Sequence, residues 1–226
     1  MGLFRLNVQL DPRQRYDSTL LQQLTPRAIL YVADYERKKR LAFAEEAWNQ
    51  LLINYPTDDA TIVAFMRLAD VTAEKADLAG ALNYLEQIVT QFPGSPKIPV
   101  VMLRQGELLS GMGRASEARE KYQYILRVPE WRGILHARAL YQIGESYMAE
   151  DAYAKAHGFY ERTFLGYPHL AEWSARAYLA DAKALIGMGE KQDAINTLNE
   201  AVAEISAIAP TDVMKSIKAK LKELQG

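Results

Sequence analysis

Alanine returns along this chain at Ala44, Ala81, Ala118, Ala156 and Ala194, at intervals of 37, 37, 38 and 38 residues. Four residues after each stands a large side chain: Trp48, Leu85, Tyr122, Tyr160 and Leu198. A second series keeps the same interval one helix earlier, with Ala69, Gly106, Gly144 and Ala182 and, in the first repeat, the bulkier Val32. Two series in step define a repeated unit. The pairing has a simple cause: two helices crossing at close range need a small residue at the crossing and a large one beside it to fill the groove.

The clearest unit, Tyr141 to Pro168, reads as two amphipathic helices joined by a tight turn. Proline ends the second helix at Pro56, Pro93, Pro129 and Pro168, each behind an apolar or aromatic residue (Tyr55, Phe92, Val128, Tyr167), and Pro210 is expected to do the same after a longer final helix. Gly111-Met112-Gly113 and Gly187-Met188-Gly189 fall where the first helix of the third and fifth repeats must turn into the second. Thr25-Pro26 is a capping hydroxyl followed by a first-turn proline, and Ser95-Pro96 is a similar pair opening the third repeat.

The two ends differ from the middle. Residues 4 to 10 alternate apolar and polar with no second strand to pair with, which suits an extended arm, while Asp17 to Leu24 suits a short helix covering the first open end. At the other end, Met214, Ile217, Leu221 and Leu224 form an apolar stripe opposite Lys215, Lys218, Lys220 and Lys222, as expected of a helix that covers the last apolar face. The expected division is therefore an arm and cap over 1–24, the repeats over 25–210 and a capping helix over 211–226.

Charge excludes several functions. With 27 Lys+Arg against 28 Asp+Glu, no global field draws the chain to nucleic acid or an anionic membrane. No cysteine is present, which removes disulfides, thiolate metal sites and thiol nucleophiles without deciding the compartment. No apolar run approaches the roughly 18 residues of a membrane span, so direct membrane insertion is not expected. Met1 to Leu6 lacks a signal-peptide core, and Leu6 stands where a myristoylation motif needs Ser or Thr. The expectation is a cytoplasmic chain, or a periplasmic or envelope-associated one whose targeting segment was removed.

Tyr141, Gly144, Tyr147, Ala156, Tyr160 and Pro168, followed by Gln105-Gly106, Gly113, Ala118 and Tyr122, give the chain a pattern that resembles the tetratricopeptide repeat family over about residues 26 to 209. The resemblance implies an all-α protein: a right-handed α-solenoid of about five helix hairpins with terminal capping helices. The interval here exceeds the family's roughly 34 residues. That spacing and the proline-rich junction Phe92 to Pro99 look like the modules of bacterial envelope proteins, such as outer-membrane assembly lipoproteins and Tol-Pal accessory proteins.

In such a solenoid the first helices line the concave surface. One residue beyond the crossing position stand Asp70, Glu107, Glu145 and then Lys183; four residues before these stand Met66, Leu103, Tyr141 and Leu179, and three after Glu145 stands Met148. The expected groove is an acidic row beside an apolar row, suited to a basic or amphipathic peptide or helix. Against this, Asp70 and Glu107 have Arg67 and Arg104 three residues earlier, local pairs worth roughly 0.3–0.5 kcal/mol each. Glu145 has Gln142 there instead, which makes it the strongest single candidate. The Lys and Asn carboxylate clamp known in the family has no counterpart at these acidic and apolar positions.

Other motifs read as structure. His136, His157 and His169 share no metal spacing, Gly111-Met112-Gly113 lacks the strand and acidic residue of a dinucleotide site, and Glu150-Asp151 beside Tyr153 reads as a turn rather than an acid/base pair. Trp131 and Trp173, each just after a repeat-ending proline, read as wedges between repeats or as an exposed rim. No cofactor is implied. The expected function is a non-catalytic scaffold that binds another protein in its groove, with a homo-oligomer left open; the alternative is an accessory or regulatory module of a larger cytoplasmic protein or enzyme complex.

Overall fold

The computed structural model describes residues 21–226, and among these it holds α-helices, one short 3-10 turn and no strand. The alternating stretch near the start and most of the expected Asp17–Leu24 helix lie outside the described residues. The helices are α1 (Pro26–Glu36), α2 (Leu41–Asn54), α3 (Asp59–Glu74), α4 (Leu78–Gln91), α5 (Ile98–Gly111), α6 (Ala115–Arg127), α7 (Ile134–Met148), α8 (Tyr153–Gly166), α9 (Ala171–Met188), α10 (Lys191–Ile205) and α11 (Thr211–Gln225). The chain clusters into two compact units, up to Val101 and from Met102, with the division inside α5.

The boundaries follow from the residues. Thr25 caps α1 by accepting a hydrogen bond from the Ala28 amide at 3.4 Å, and Pro26 occupies the first turn, where a missing N–H is harmless. Helices α2, α4, α6 and α8 each end directly before a non-helical cap residue, and the proline follows it: Tyr55-Pro56, Phe92-Pro93, Val128-Pro129 and Tyr167-Pro168. Two expectations shift. α10 already ends at Ile205, so Pro210 terminates nothing and instead precedes α11 directly. α5 opens at Ile98 rather than at Pro96: the Ser95 hydroxyl accepts from the Lys97 amide at 3.2 Å, closing a turn, and Pro99 takes the first-turn place.

The turn between the helices of a hairpin is the same device in the second to fifth repeats. Gly113 and Gly189 sit there with φ of 74° and 86°, and in the second and fourth repeats Ala76 and Asp151 hold the same register with φ of 65° and 55°. A left-handed residue lets the reversed chain bond back to the helix end. The Ala76 amide reaches the Ala73 carbonyl at 2.9 Å and the Asp77 amide the Thr72 carbonyl at 3.1 Å.

In the first unit, α1 to α4 pack each on the next, and α1 also on α3. Their core gathers Leu21 and Leu24 with Ile29, Val32, Phe43, Trp48, Leu51 and Leu68. Leu21 and Leu24 are both buried within this core. In the second unit α8, α9, α10 and α11 share a core of Tyr160, Phe164, Tyr178, Leu185, Leu198, Ile205, Met214 and Ile217. α11 turns Val213, Met214, Ile217 and Leu224 inward against α9 and α10 and leaves Lys215, Lys218 and Lys222 outside. It is the capping helix the apolar stripe predicts.

All five alanines of the defining series are fully buried, as are Trp48, Tyr122, Tyr160 and Leu198 beside them. The glycine crossings are literal. A Cβ on Gly106 would stand 2.3 Å from Tyr122 Cε1, and one on Gly144 2.5 Å from Tyr160 Cε1.

Candidate partner-binding site

The first helices of the second unit, α5, α7 and α9, carry most of the predicted groove. Glu107 on α5 is held twice, by Arg104 on its own helix at 3.3 Å and by Arg138 of α7 at 2.9 Å. The Arg138 guanidinium also lies 5.4 Å over the Trp173 ring, and Arg176 covers the same ring at 5.7 Å while pairing with Glu172 at 3.0 Å. Trp173 meets Tyr141 edge-on at 5.7 Å, and Tyr141 is an equal distance from the Tyr160 ring. A layered surface of arginine and aromatic rings thus runs from α5 to α9. Such stacks are each worth roughly 0.5–1.5 kcal/mol beyond buried area.

Glu145 is exposed, yet it is not without a contact: the buried Tyr160 hydroxyl donates to its Oε1 at 2.6 Å. That bond connects the crossing of α7 and α8 to the outer face, fixing the carboxylate's direction. Burial, then the hydrogen bond and charge of Glu145, push the Tyr160 hydroxyl far above its ordinary range. The Tyr141 hydroxyl is pushed up to about 12, first by burial and then by the Glu145 charge.

Four predicted residues come together. Tyr141, Glu145, Leu179 and Lys183 line one hollow of about 270 Å³ with Arg176 and Ala180 of α9 and Asp212, Val213 and Ser216 of the capping helix. Lys183 is exposed and forms no ion pair with another described residue. Met148 is half-buried against the core of the second unit. Leu103 does not belong to the groove: it is fully enclosed in the interior, because at its place on α5 the position four before the acid turns inward.

In the first unit Met66 and Asp70 are half-buried on α3. Arg67 forks its guanidinium onto Asp34 of α1, with Nε at 3.1 Å from Oδ1 and Nη2 at 3.0 Å from Oδ2, and the charge of Asp70 acts on it more weakly. The acids of the first helices are therefore largely answered from a neighbouring helix. Sequence reasoning missed Arg138 and Arg176, which both stand six residues before the crossing position and would have revealed a basic row facing the acidic one.

The histidines and tryptophans resolve into local roles. His136 is buried with Nε2 3.0 Å from the Val128 carbonyl, and His157 Nδ1 lies 2.7 Å from Asp181, a carboxylate almost wholly enclosed between α8 and α9. Burial raises the Asp181 carboxyl to about 6 in spite of the opposing pull of His157. Trp131 is half-buried against Tyr124 at 5.9 Å. Among the described residues no group of three His, Cys, Asp or Glu side chains could hold a metal ion, and no helix is long and apolar enough to cross a membrane.

A model of the tetratricopeptide repeat matches residues 63–95, which span most of α3 and all of α4. Residues 63–95 thus carry a tetratricopeptide repeat. Solved structures of the same fold include MamA, with 19% identity, 79% of this chain and 91% of that chain covered and a TM-score of 0.62. PilW, described as a widely conserved type IV pilus biogenesis factor, has 15% identity over 88% of this chain and 92% of its own, with a TM-score of 0.61. Pseudomonas aeruginosa pilF has 14% identity over 87% and 82%, with a TM-score of 0.60. No curated protein sequence matches the chain. Repeat solenoids of this class present surfaces to other proteins, so a protein-interaction scaffold is the function the fold supports.

Proposed function

We propose that this repeat protein is a non-catalytic adaptor that seats an amphipathic segment of a partner protein against α7, α9 and α11. The observation that supports this most is the hollow lined by Tyr141, Glu145, Leu179 and Lys183, four residues chosen from repeat register alone. Tyr141 and Leu179 offer an apolar floor for an anchoring side chain. Glu145, aimed by Tyr160, and Lys183 offer one acceptor and one donor of opposite charge on either side of it. The segment that fits carries an apolar anchor flanked by a basic and an acidic residue. An envelope partner is favoured by the repeat spacing, the Phe92 to Pro99 junction and the likeness of fold to a pilus biogenesis factor.

Selection of binding peptides from a displayed library on the purified chain tests this. Peptides of that pattern should lose at least about tenfold in affinity, roughly 1.4 kcal/mol, on Glu145→Lys and on Leu179→Glu, with no loss on Glu86→Lys of the exposed face of α4. Affinity that ignores both groove substitutions excludes the hollow as the binding site. Raising salt then separates the contributions: binding carried by Glu145 and Lys183 weakens, and binding carried by Tyr141 and Leu179 persists.

A further inference from the structure

A second surface lies on the second unit away from the α7–α9–α11 hollow, and it is built from two adjoining hollows. The larger, of about 950 Å³, is lined by Arg132, Leu140, Glu161, Arg162, Leu165 and Tyr167, with His169 at its edge. The smaller, of about 400 Å³, is lined by Phe164, Leu165, Tyr178, Glu200, Glu204 and Ile208, again with His169. Leu165 and His169 belong to both, so they form the ridge between them. Both ridge residues are exposed, Leu165 by 63%, and Ile208 of the smaller hollow adds a second bare apolar side chain at 57%.

Charge is divided across the ridge. On one side Arg132 and Arg162 are exposed and enter no ion pair with another described residue, Arg162 resting over the Phe159 ring at 5.1 Å. The one acid there, Glu161, faces His157 at 3.5 Å. On the other side Glu200 and Glu204 are exposed with no cation against them, Glu200 accepting only the Tyr178 hydroxyl at 3.1 Å. A ridge of Leu165 and His169 with uncompensated cations on one flank and, beside Ile208, uncompensated anions on the other is self-complementary. A two-fold axis through the ridge carries the cationic flank of one copy onto the anionic flank of the other, twice over.

We infer that this face is the interface of a symmetric homodimer, with Leu165 and His169 at its centre and Arg132 and Arg162 of each copy facing Glu200, Glu204 and Ile208 of the other. A single-signed partner would satisfy one flank and oppose the other. A second copy satisfies both. The reading is independent of the partner groove, since none of these residues lines it.

Sedimentation velocity on the whole chain tests the inference. The wild type should form a dimer that weakens as salt rises and screens the flanks. Arg132→Glu/Arg162→Glu should be monomeric, and so should Glu200→Lys/Glu204→Lys; Glu204→Lys alone, which leaves the Tyr178 hydrogen bond in place, should weaken the dimer at least about tenfold. Circular dichroism and thermal melting confirm that each variant is folded. Mixing the two doubly reversed chains should then restore a dimer of one copy of each, because their flanks are now acidic throughout in one and basic throughout in the other. A wild type that stays monomeric up to its solubility limit, a dimer that survives both reversals, or folded variants that do not recombine on mixing each overturns it.

Discussion

Gly144 has no room for a methyl group. The Tyr160 ring stands where its Cβ would be, and the same is true of Gly106 and Tyr122. In the second and fifth repeats the crossing pairs are Ala69 with Leu85 and Ala182 with Leu198, so there the small residue grows as the ring gives way to a branched side chain; the first repeat, with Val32 and Trp48, departs from this trend. Gly144→Ala gains up to about 1 kcal/mol of helix propensity but forces the ring aside, and the net expectation is a loss of about 1–2 kcal/mol in urea denaturation. Combined with Tyr160→Leu, which reproduces the Ala–Leu pair, the alanine should turn from destabilising to favourable, a coupling of at least about 1 kcal/mol. Strictly additive effects would mean that the ring does not set the size of residue 144. This part of the fold was legible in the sequence because the constraint is local to one hairpin and recurs in it five times. The partnership of Tyr160 with Glu145 was not legible: the position of a hydroxyl at the end of a buried ring depends on the rotation of α8 against α7.

Between elements, a fastening with an electrostatic cost joins α8 to α9. Asp181 is enclosed, and its Oδ2 has no hydrogen-bond partner, while Oδ1 faces His157 Nδ1 at 2.7 Å. Its carboxyl titrates near 6 in the fold against 3.8 in a solvated chain, so the protonated form is favoured by folding. The sign follows directly: the stability this group contributes is fully present below about pH 4 and is lost as pH rises through about 6. Asp181→Asn carries no such loss. The stability of the asparagine variant relative to wild type should therefore rise by about 2 kcal/mol between about pH 4 and pH 7, as measured by denaturant unfolding at each pH. A flat difference across that range would mean that His157 compensates the buried charge in full. The helix ends at this scale were readable because proline and the left-handed turn residue act through the chain itself. The groove was only partly readable. Leu103 and Leu179 share a register, yet one is enclosed and the other lines a hollow, and Glu107 and Arg138 meet across 31 residues of sequence. Those outcomes are set by how one first helix rises against the next, which no single hairpin encodes.

At the scale of the molecule, each unit packs as a quasi-linear series of helices. Within each unit a helix contacts the next helix and, at most, the next but one. Stability in such an array is a sum of hairpin terms and nearest-neighbour interfaces, so damage should stay where it is made. Trp48 gives a sharp case, fully buried in the first unit between Val32, Leu51 and their neighbours, with the largest side chain of any residue in that core. Trp48→Ala should cost about 3–5 kcal/mol locally. In a protein that unfolds as one cooperative body, that loss would lower the protection of every slow amide alike. Here hydrogen exchange should accelerate through α1 to α4, while the amides of α9 and α10, held by Ala182, Leu185, Ala194 and Leu198 in the core of the second unit, keep their wild-type rates. Equal acceleration in both units would show that the two unfold together and that the array is not additive.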